Sequence, residues 1–360
     1  MKDSTGLHRF QGRVPQLLLS LGVGAVGGAL FALVQLPLAW MLGPLCANLL
    51  VAIGGAPVAV PERCRATFMG VLGLVLGGRI TPAFVHQALA WPASVLLLII
   101  GISTSTAVVA LWYRRGCGFD RVSALYSSTP GAMTAMILMG ERAGGDPQRI
   151  TVSQSLRVLV VILTLPALFW HFGAAADASR SYPATEGVWL FLLLPLMIWL
   201  GRLLRLPQAS LLGPLLCAAL LGGLDVVHFQ PPGWAMNLML WVLGCAIGAR
   251  FRGLAPRLLL RYAGQTLVAS IIVLVMMVGF AELMHQWLQI DRGVAILALA
   301  PGGLGEMALV ALSLNIDPLF VTFHQLVRVV LLVVLAPLVM RCLLRWRRSS
   351  ADDARRETPE

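Results

Sequence analysis

The sequence predicts an all-α polytopic membrane protein. It should hold two inverted-topology repeats, each of about five transmembrane helices plus one broken or re-entrant segment. Three observations predict this. The 360 residues are 58% hydrophobic and only 12% charged, whereas a soluble domain carries roughly a quarter charged residues. The chain repeats itself about 171 residues apart (291 − 120, for Asp291 and Asp120). The basic loops, laid along the chain, demand an odd number of crossings per repeat.

The repeat is legible in its polar and Gly/Pro positions. Asp120-Arg121 answers Asp291-Arg292, and Pro130-Gly131 answers Pro301-Gly302. Asp146-Pro147 answers Asp317-Pro318, Gln154 answers Gln325, and Arg157 answers Arg328. Earlier in each half, Leu42-Gly43-Pro44-Leu45 answers Leu212-Gly213-Pro214-Leu215, and Gly73, Gly77 and Arg79 answer Gly244, Gly248 and Arg250. Internal duplication of this kind is a mark of transporter folds, whose sites lie where the repeats meet.

A spanning helix needs about 20 apolar residues. After a cytoplasmic N-terminus (1–13), apolar segments run over 14–34, 38–54, 64–80, 87–113, 121–140 and 149–172. The first follows Lys2, Arg9 and Arg13 as a signal peptide would, but it is long enough to span and no Ala-x-Ala site follows it. An external linker, 173–186, separates the repeats. The second repeat (187–344) holds segments 187–204, 208–224, 234–250, 261–287, 292–313 and 319–344, and a charged cytoplasmic tail (345–360) ends the chain.

The formal charge of +11 comes from 27 Lys and Arg, with Lys2 the single lysine. In a membrane protein such an excess collects in cytoplasmic loops, so it argues for lipid and against nucleic acid. The N-terminus, Arg114-Arg115 with Arg121, Arg202 with Arg205, Arg250 to Arg261, and the tail from Arg341 should all be cytoplasmic. Six full crossings per half would put Arg202, Arg205 and Arg250 outside. The conflict disappears if segments 121–140 and 292–313 each enter and return on one side. That leaves ten crossings, both termini inside, and the repeats inverted. Pro130-Gly131 and Pro301-Gly302 stand in the middle of these two segments. Pro removes a backbone donor and Gly tolerates sharp turns. The competing reading is an ordinary Pro-kinked helix.

Arg157 and Arg328 sit some eight or nine residues into apolar helices, roughly 12 Å deep at 1.5 Å per residue. Each follows a Gln by three positions, so Gln154 with Arg157 and Gln325 with Arg328 share helix faces. A guanidinium in hydrocarbon must face protein or water. Two roles are open: binding an anionic substrate, or holding the broken segments through carbonyls or acids. The backbone after each Pro-Gly presents a helix N-terminus, which favours anions. The candidate binding set is therefore Pro130, Gly131, Thr134, Gln154, Arg157, Pro301, Gly302, Gly303, Glu306, His324, Gln325 and Arg328. Ser127, Ser128, Thr129 and Thr134 are answered by Ala298, Leu299, Ala300 and Gly305, so the site should be asymmetric. Glu306 and His324 would couple transport to protons. Alternatively, Glu306 neutralises Arg328 and His324 bonds a carbonyl. Na⁺ coupling is equally open. The six Cys and six His are dispersed, and no metal site, cofactor or catalytic residue is expected.

These motifs resemble the AbrB-type membrane proteins, a family of duplicated membrane proteins. The resemblance rests on Pro130-Gly131-Ala132-Met133-Thr134-Ala135-Met136, on Ala300-Pro301-Gly302-Gly303-Leu304-Gly305-Glu306-Met307-Ala308, and on the tract Asp317 to Arg328. It covers about residues 15–345. Family members carry labels of ammonia monooxygenase and of regulator of gene expression. Nothing in the chain offers the clustered His or carboxylates that copper or iron chemistry needs.

The expected function is a bacterial inner-membrane secondary transporter, an exporter or exchanger of a small anionic metabolite. It would work by alternating access, with H⁺ or Na⁺ coupling allowed, and a homodimer is compatible with it. The alternatives are a membrane-embedded regulator that binds a ligand without moving it, a channel, and, least supported, a membrane monooxygenase. No GxxxxGK[ST] motif is present, so an ion or substrate gradient would drive transport.

Overall fold

The computed structural model describes residues 13–36, 38–80, 91–130, 133–171, 189–223, 233–254, 256–314 and 316–332. The external linker, the N-terminus before Arg13, the charged tail, and the end of the last expected segment lie outside them, as does Gly131. Among the described residues the secondary structure is helical, with no strand.

The first half comprises α1 (Arg13–Leu33), α2 (Ala39–Ile53), α3 (Glu62–Gly77), α4 (Pro92–Leu111), α5 (Arg121–Ser128), α6 (Met133–Arg142) and α7 (Pro147–His171). A widened π turn, Trp112–Gly116, extends α4. The second comprises α8 (Leu190–Leu203), α9 (Ala209–Gly223), α10 (Gly233–Ala249), α11 (Pro256–Leu288), α12 (Arg292–Leu299), α13 (Leu304–Ser313) and α14 (Pro318–Leu332). Among the described residues, four stretches are long and apolar enough to cross a bilayer: Val14–Leu33, Pro92–Gly116, Pro147–Leu165 and Pro256–Leu288. The remaining apolar helices are shorter. Bulky apolar side chains face outward, among them Leu33 on α1, Leu192 on α8, and Leu260 and Val275 on α11. Lipid makes that arrangement stable, and water would not.

The helix boundaries follow from local chemistry in both halves. Asp120 and Asp291 cap α5 and α12, accepting from the amides of Ser123 (2.8 Å) and Gly293 (2.8 Å). Asp146 and Asp317 cap α7 and α14, accepting from Gln148 (2.9 Å) and Leu319 (3.0 Å). In each Asp-Pro pair the proline occupies the first helical position, where its missing N–H costs nothing. Thr129 and Ala300, each followed by proline, are extended (ψ 117° and 133°). A residue before proline is pushed out of the helical region, so α5 and α12 stop there. Segments 121–140 and 292–313 are thus broken helices, as the sequence predicted. The Pro-kinked alternative is ruled out where the backbone is described.

The duplication also appears in the backbone. Before α2, Gln35 and Leu38 adopt left-handed φ (55° and 52°), and before α9, Arg205 and Gln208 do the same (52° and 50°). Ahead of the broken segments, Gly118 (φ 67°) answers Gln289 (φ 54°).

Packing between the halves is reciprocal and glycine-mediated. A Cβ on Gly73 would lie 2.3 Å from the Leu211 carbonyl oxygen, and one on Gly77 would lie 2.2 Å from that of Leu215. In the other copy, Gly244 stands so against Met41 (2.4 Å) and Gly248 against Leu45 (2.4 Å). So α3 packs on α9 and α10 packs on α2, backbone to backbone, and only glycine permits that approach. Residue numbers rise together along each pair, so α2 runs parallel to α10, and α3 to α9. Within a half, Gly27 and Gly43 bring α1 against α2, and Gly201 and Gly213 bring α8 against α9.

Candidate functional site

The broken segments are held by the Gln–Arg pairs of α7 and α14. Gln325 donates from Nε2 to the carbonyls of Leu297 (2.9 Å), Ala298 (3.4 Å) and Ala300 (3.0 Å). Arg328 donates to the carbonyls of Ala300 (2.5 Å) and Gly302 (2.6 Å), and also to Gln325 Oε1. The last turn of α12 leaves its carbonyls without helical partners, and these two side chains satisfy them. In the first copy, Gln154 donates to Tyr126 (2.6 Å) and Thr129 (3.0 Å). Arg157 reaches Ser128 at 3.5 Å and Gln154 Oε1. The carbonyl-holding role, one of the two left open by the sequence, is therefore present in both copies, and it is tighter at Arg328.

Both guanidinium groups are buried, Arg157 6% and Arg328 1% exposed. They lie close enough for their charges to repel. Among the described residues, no carboxylate lies within ion-pairing distance of either. The Nε–H of each is buried without an acceptor. Two buried positive charges near one another, with carbonyl dipoles and no acid, leave room for an anion.

Glu306 does not neutralise Arg328, correcting one expectation. Its buried carboxylate pairs with Arg250, Nη2 to Oε1 at 3.2 Å. Arg65 lies within electrostatic reach of it. The carboxylate folds back on Gly303, the N-cap of α13: a Cβ there would lie 2.0 Å from Oε2. Gly303 is thus required by a close approach. The half-helix N-terminus of the second copy, attractive to anions, already faces the chain's own carboxylate.

His324 does bond a carbonyl, but in its own helix. Nδ1 lies 2.9 Å from Phe320 O, and Nε2 lies 2.9 Å from Ser94 Oγ on α4. Phe320 stacks on the imidazole (centroids 4.0 Å apart), and Trp91 and Phe323 enclose it. The carbonyl can only accept, so Nδ1 carries a proton. The Ser94 hydroxyl also lies 2.8 Å from Trp91 O, so its single proton serves either that carbonyl or Nε2.

The structure brings Gln154, Arg157, Gln325 and Arg328 onto the two breaks, with Pro130, Pro301, Gly302 and Gly303 in or beside them. Glu306 and His324 bond neither guanidinium group, and each has its own partner. Gly131 and the Thr134 side chain lie outside the described residues. Sequence reading missed Arg250 and Ser94 as partners. Arg250 was visible as one of a duplicated pair with Arg79. Ser94 carried no signal.

The sequence profile of the family described as Transition state regulatory protein AbrB matches residues 40–344. The chain is 27% identical over 336 residues to a protein of Escherichia coli (strain K12) provisionally named as the regulator AbrB, covering 91% of this chain and 94% of that one. It is 24% identical over 360 residues to YhjN of Bacillus subtilis (strain 168), covering 90% and 92%.

Proposed function

Because the chain belongs to the AbrB family, whose profile spans most of its length, we propose that it is a secondary transporter of a small anionic metabolite, an exporter or exchanger working by alternating access. The observation that carries this reading is the pair of broken helices, each tip held by a buried arginine that has no acid partner among the described residues. Irregular backbone at membrane depth is tolerated where it is buried in protein or lines a watery path. Paired broken helices with buried charge suit a midplane substrate site.

Inverted topology is supported by helix directions. The end of α2 and the end of α10 lie together, because Ala59 N bonds Gln16 O (3.5 Å) and Arg252 bonds Gln16 Oε1 (2.9 Å). Glu62, which starts α3, lies within electrostatic reach of Arg250, which ends α10. Yet α3 and α10 are the same element of the two repeats. Equivalent helices therefore meet start to end. Glu62 also feels Arg202, so the basic loops after α8 and α10 gather at the end where α1 begins. That end is the cytoplasmic one in an inner-membrane protein.

Glu306 with Arg250, and His324, are the candidates for proton coupling, and Na⁺ is the alternative ion. The proposal is of a carrier, with no catalytic step and no cofactor assigned. A second reading, a membrane-embedded sensor that binds without flux, is favoured by the regulator names of the family and of the Escherichia coli relative.

The test is thermal stabilisation of the purified protein by a panel of metabolites, followed by flux in proteoliposomes. A ligand at about 100 times its Kd should stabilise by about 2.7 kcal/mol. Saturable flux of a stabilising carboxylate supports the carrier. Stabilisation with no flux selects the sensor, and ohmic flux selects a channel.

A further inference from the structure

Several buried hydroxyls on α7, which carries Arg157, and on α11, which packs against it, lack the usual helical partner. Helical Ser and Thr normally satisfy themselves on the carbonyl one turn back, as Thr104, Ser105, Thr164, Ser313 and Thr322 do here. Ser153 on α7, and Thr266 and Ser270 on α11, do not. All three are 0% exposed; the Ser270 hydroxyl has no hydrogen-bond partner, and those of Ser153 and Thr266 bond no carbonyl and meet only the Tyr113 hydroxyl. The Tyr113 hydroxyl lies beside Ser153 and Thr266, with Arg157 in electrostatic reach. Its ring is fixed by stacking on Phe119, centroids 4.9 Å apart, and Arg149 lies over the Phe119 ring. Ser153 and Arg157 are one turn apart on α7, and Thr266 and Ser270 are one turn apart on α11. The two helices pack together.

The second copy shows what the fold itself requires at the equivalent places. Tyr113 is answered by Met284, Thr266 by Val95, Ser270 by Ile99 and Ser153 by His324. His324 has partners at both ring nitrogens, and Arg328 bonds two carbonyls at 2.5 and 2.6 Å where Arg157 bonds one at 3.5 Å, although the Nε–H of each arginine lacks an acceptor. Its half-helix N-terminus faces Glu306. None of the first copy's hydroxyls is therefore needed to hold the fold, and burying hydroxyls with unused hydrogen-bonding capacity is costly.

Resting on the carrier reading above, we infer that the substrate site is this single first-repeat pocket, and that it takes a small carboxylate. Arg157 supplies the charge through its unpartnered Nε–H, and Tyr113, Ser153, Thr266 and Ser270 supply hydroxyl donors. Every group offered is a donor or a hydroxyl, so the ligand must accept and carry negative charge. Arg328 is then a structural arginine.

The experiment uses the full chain with its six native cysteines replaced, and Ser153→Cys, Ser270→Cys or His324→Cys added singly. Each thiol is titrated with an anionic sulfonatoethyl and a cationic trimethylammonioethyl methanethiosulfonate. Taking the ratio of the two rates cancels the thiol's own reactivity. The expected result is at least a tenfold preference for the anionic reagent at 153 and 270, none at 324, and slowing at 153 by pyruvate or succinate. Equal rates at 153 and 270 would mean a hydrated void without anion selectivity. No reaction at either would mean closed packing. Either outcome overturns the pocket. Anion preference without flux in proteoliposomes leaves the pocket standing and sinks the carrier. Flux without anion preference does the reverse.

Discussion

Truncating the two buried arginines should separate their roles by stability. Arg328→Ala and Arg157→Ala each remove a guanidinium that is almost wholly buried, so the desolvation cost relieved is similar and cancels in the comparison. What differs is the hydrogen bonding. Arg328 donates to two carbonyls at 2.5 and 2.6 Å, whereas Arg157 makes one such contact at 3.5 Å, and both bond their Gln. A charge-assisted bond contributes roughly 1.5–3 kcal/mol, and orphaned buried carbonyls add to the loss. Bonds between membrane helices fall toward the low end, at about 0.6–1.7 kcal/mol. Arg328→Ala should therefore cost about 2–3 kcal/mol more than Arg157→Ala. Denaturant titration of each variant in the same detergent reads the difference directly. Equal losses, or a larger loss at Arg157, would refute the assignment of Arg328 to the fold.

Three further tests bear on the architecture. Gly73→Ala and Gly244→Ala place a Cβ at 2.3 and 2.4 Å from carbonyl oxygens, and each should cost about 1–3 kcal/mol by forcing helices apart. Denaturant midpoints that fall for one variant alone would contradict reciprocal packing. Gly118→Ala meets no atom within 4 Å but holds φ at 67°, so strain alone should lower stability by about 1 kcal/mol, measured by thermal unfolding. For topology, a cysteine at Gln148, beside Gly145, should be labelled by an impermeant maleimide from the cytoplasm, and one at Asn315 from outside. The opposite sidedness would remove the inverted arrangement.

What the sequence made legible was whatever depends on neighbours in the chain. Asp-Pro caps and Pro-Gly breaks act within a few residues, so their positions follow from local backbone chemistry. The Gln–Arg faces were legible from a spacing of three. Their acceptors were not, since they are carbonyls 25 to 29 residues away. The attachment of Glu306 to Arg250 spans 56 residues, and that of His324 to Ser94 spans 230. Such pairs are set by how α4, α10, α13 and α14 pack, and no periodicity encodes it. The recurrence of Gly73 and Gly77 as Gly244 and Gly248 was visible in the sequence. Their partners, Leu211, Leu215, Met41 and Leu45, needed the fold.

The duplication turns these contacts into an internal control. Whatever both copies keep is owed to the shared architecture: aspartate caps, broken segments, Gln–Arg holds and glycine seams. Whatever one copy alone carries is free of that demand. The second copy's private groups, Glu306 and His324, have each found a partner and rigidify their surroundings. The first copy's private groups are hydroxyls that bond no carbonyl, at most one another, on helices packed beside a charge whose contacts are loose. Unpaired buried donors destabilise a fold that has no use for them. Their retention is explained if something from solution completes them, and a carboxylate does so while also balancing Arg157. On this argument, filling the pocket by chemistry internal to the chain should stabilise the protein and abolish binding together. Ser153→His, which copies the second repeat, is expected to do both, read by the thermal midpoint and by loss of carboxylate-induced stabilisation. A variant that kept full ligand-induced stabilisation would show that the first repeat's hydroxyls do not form the site.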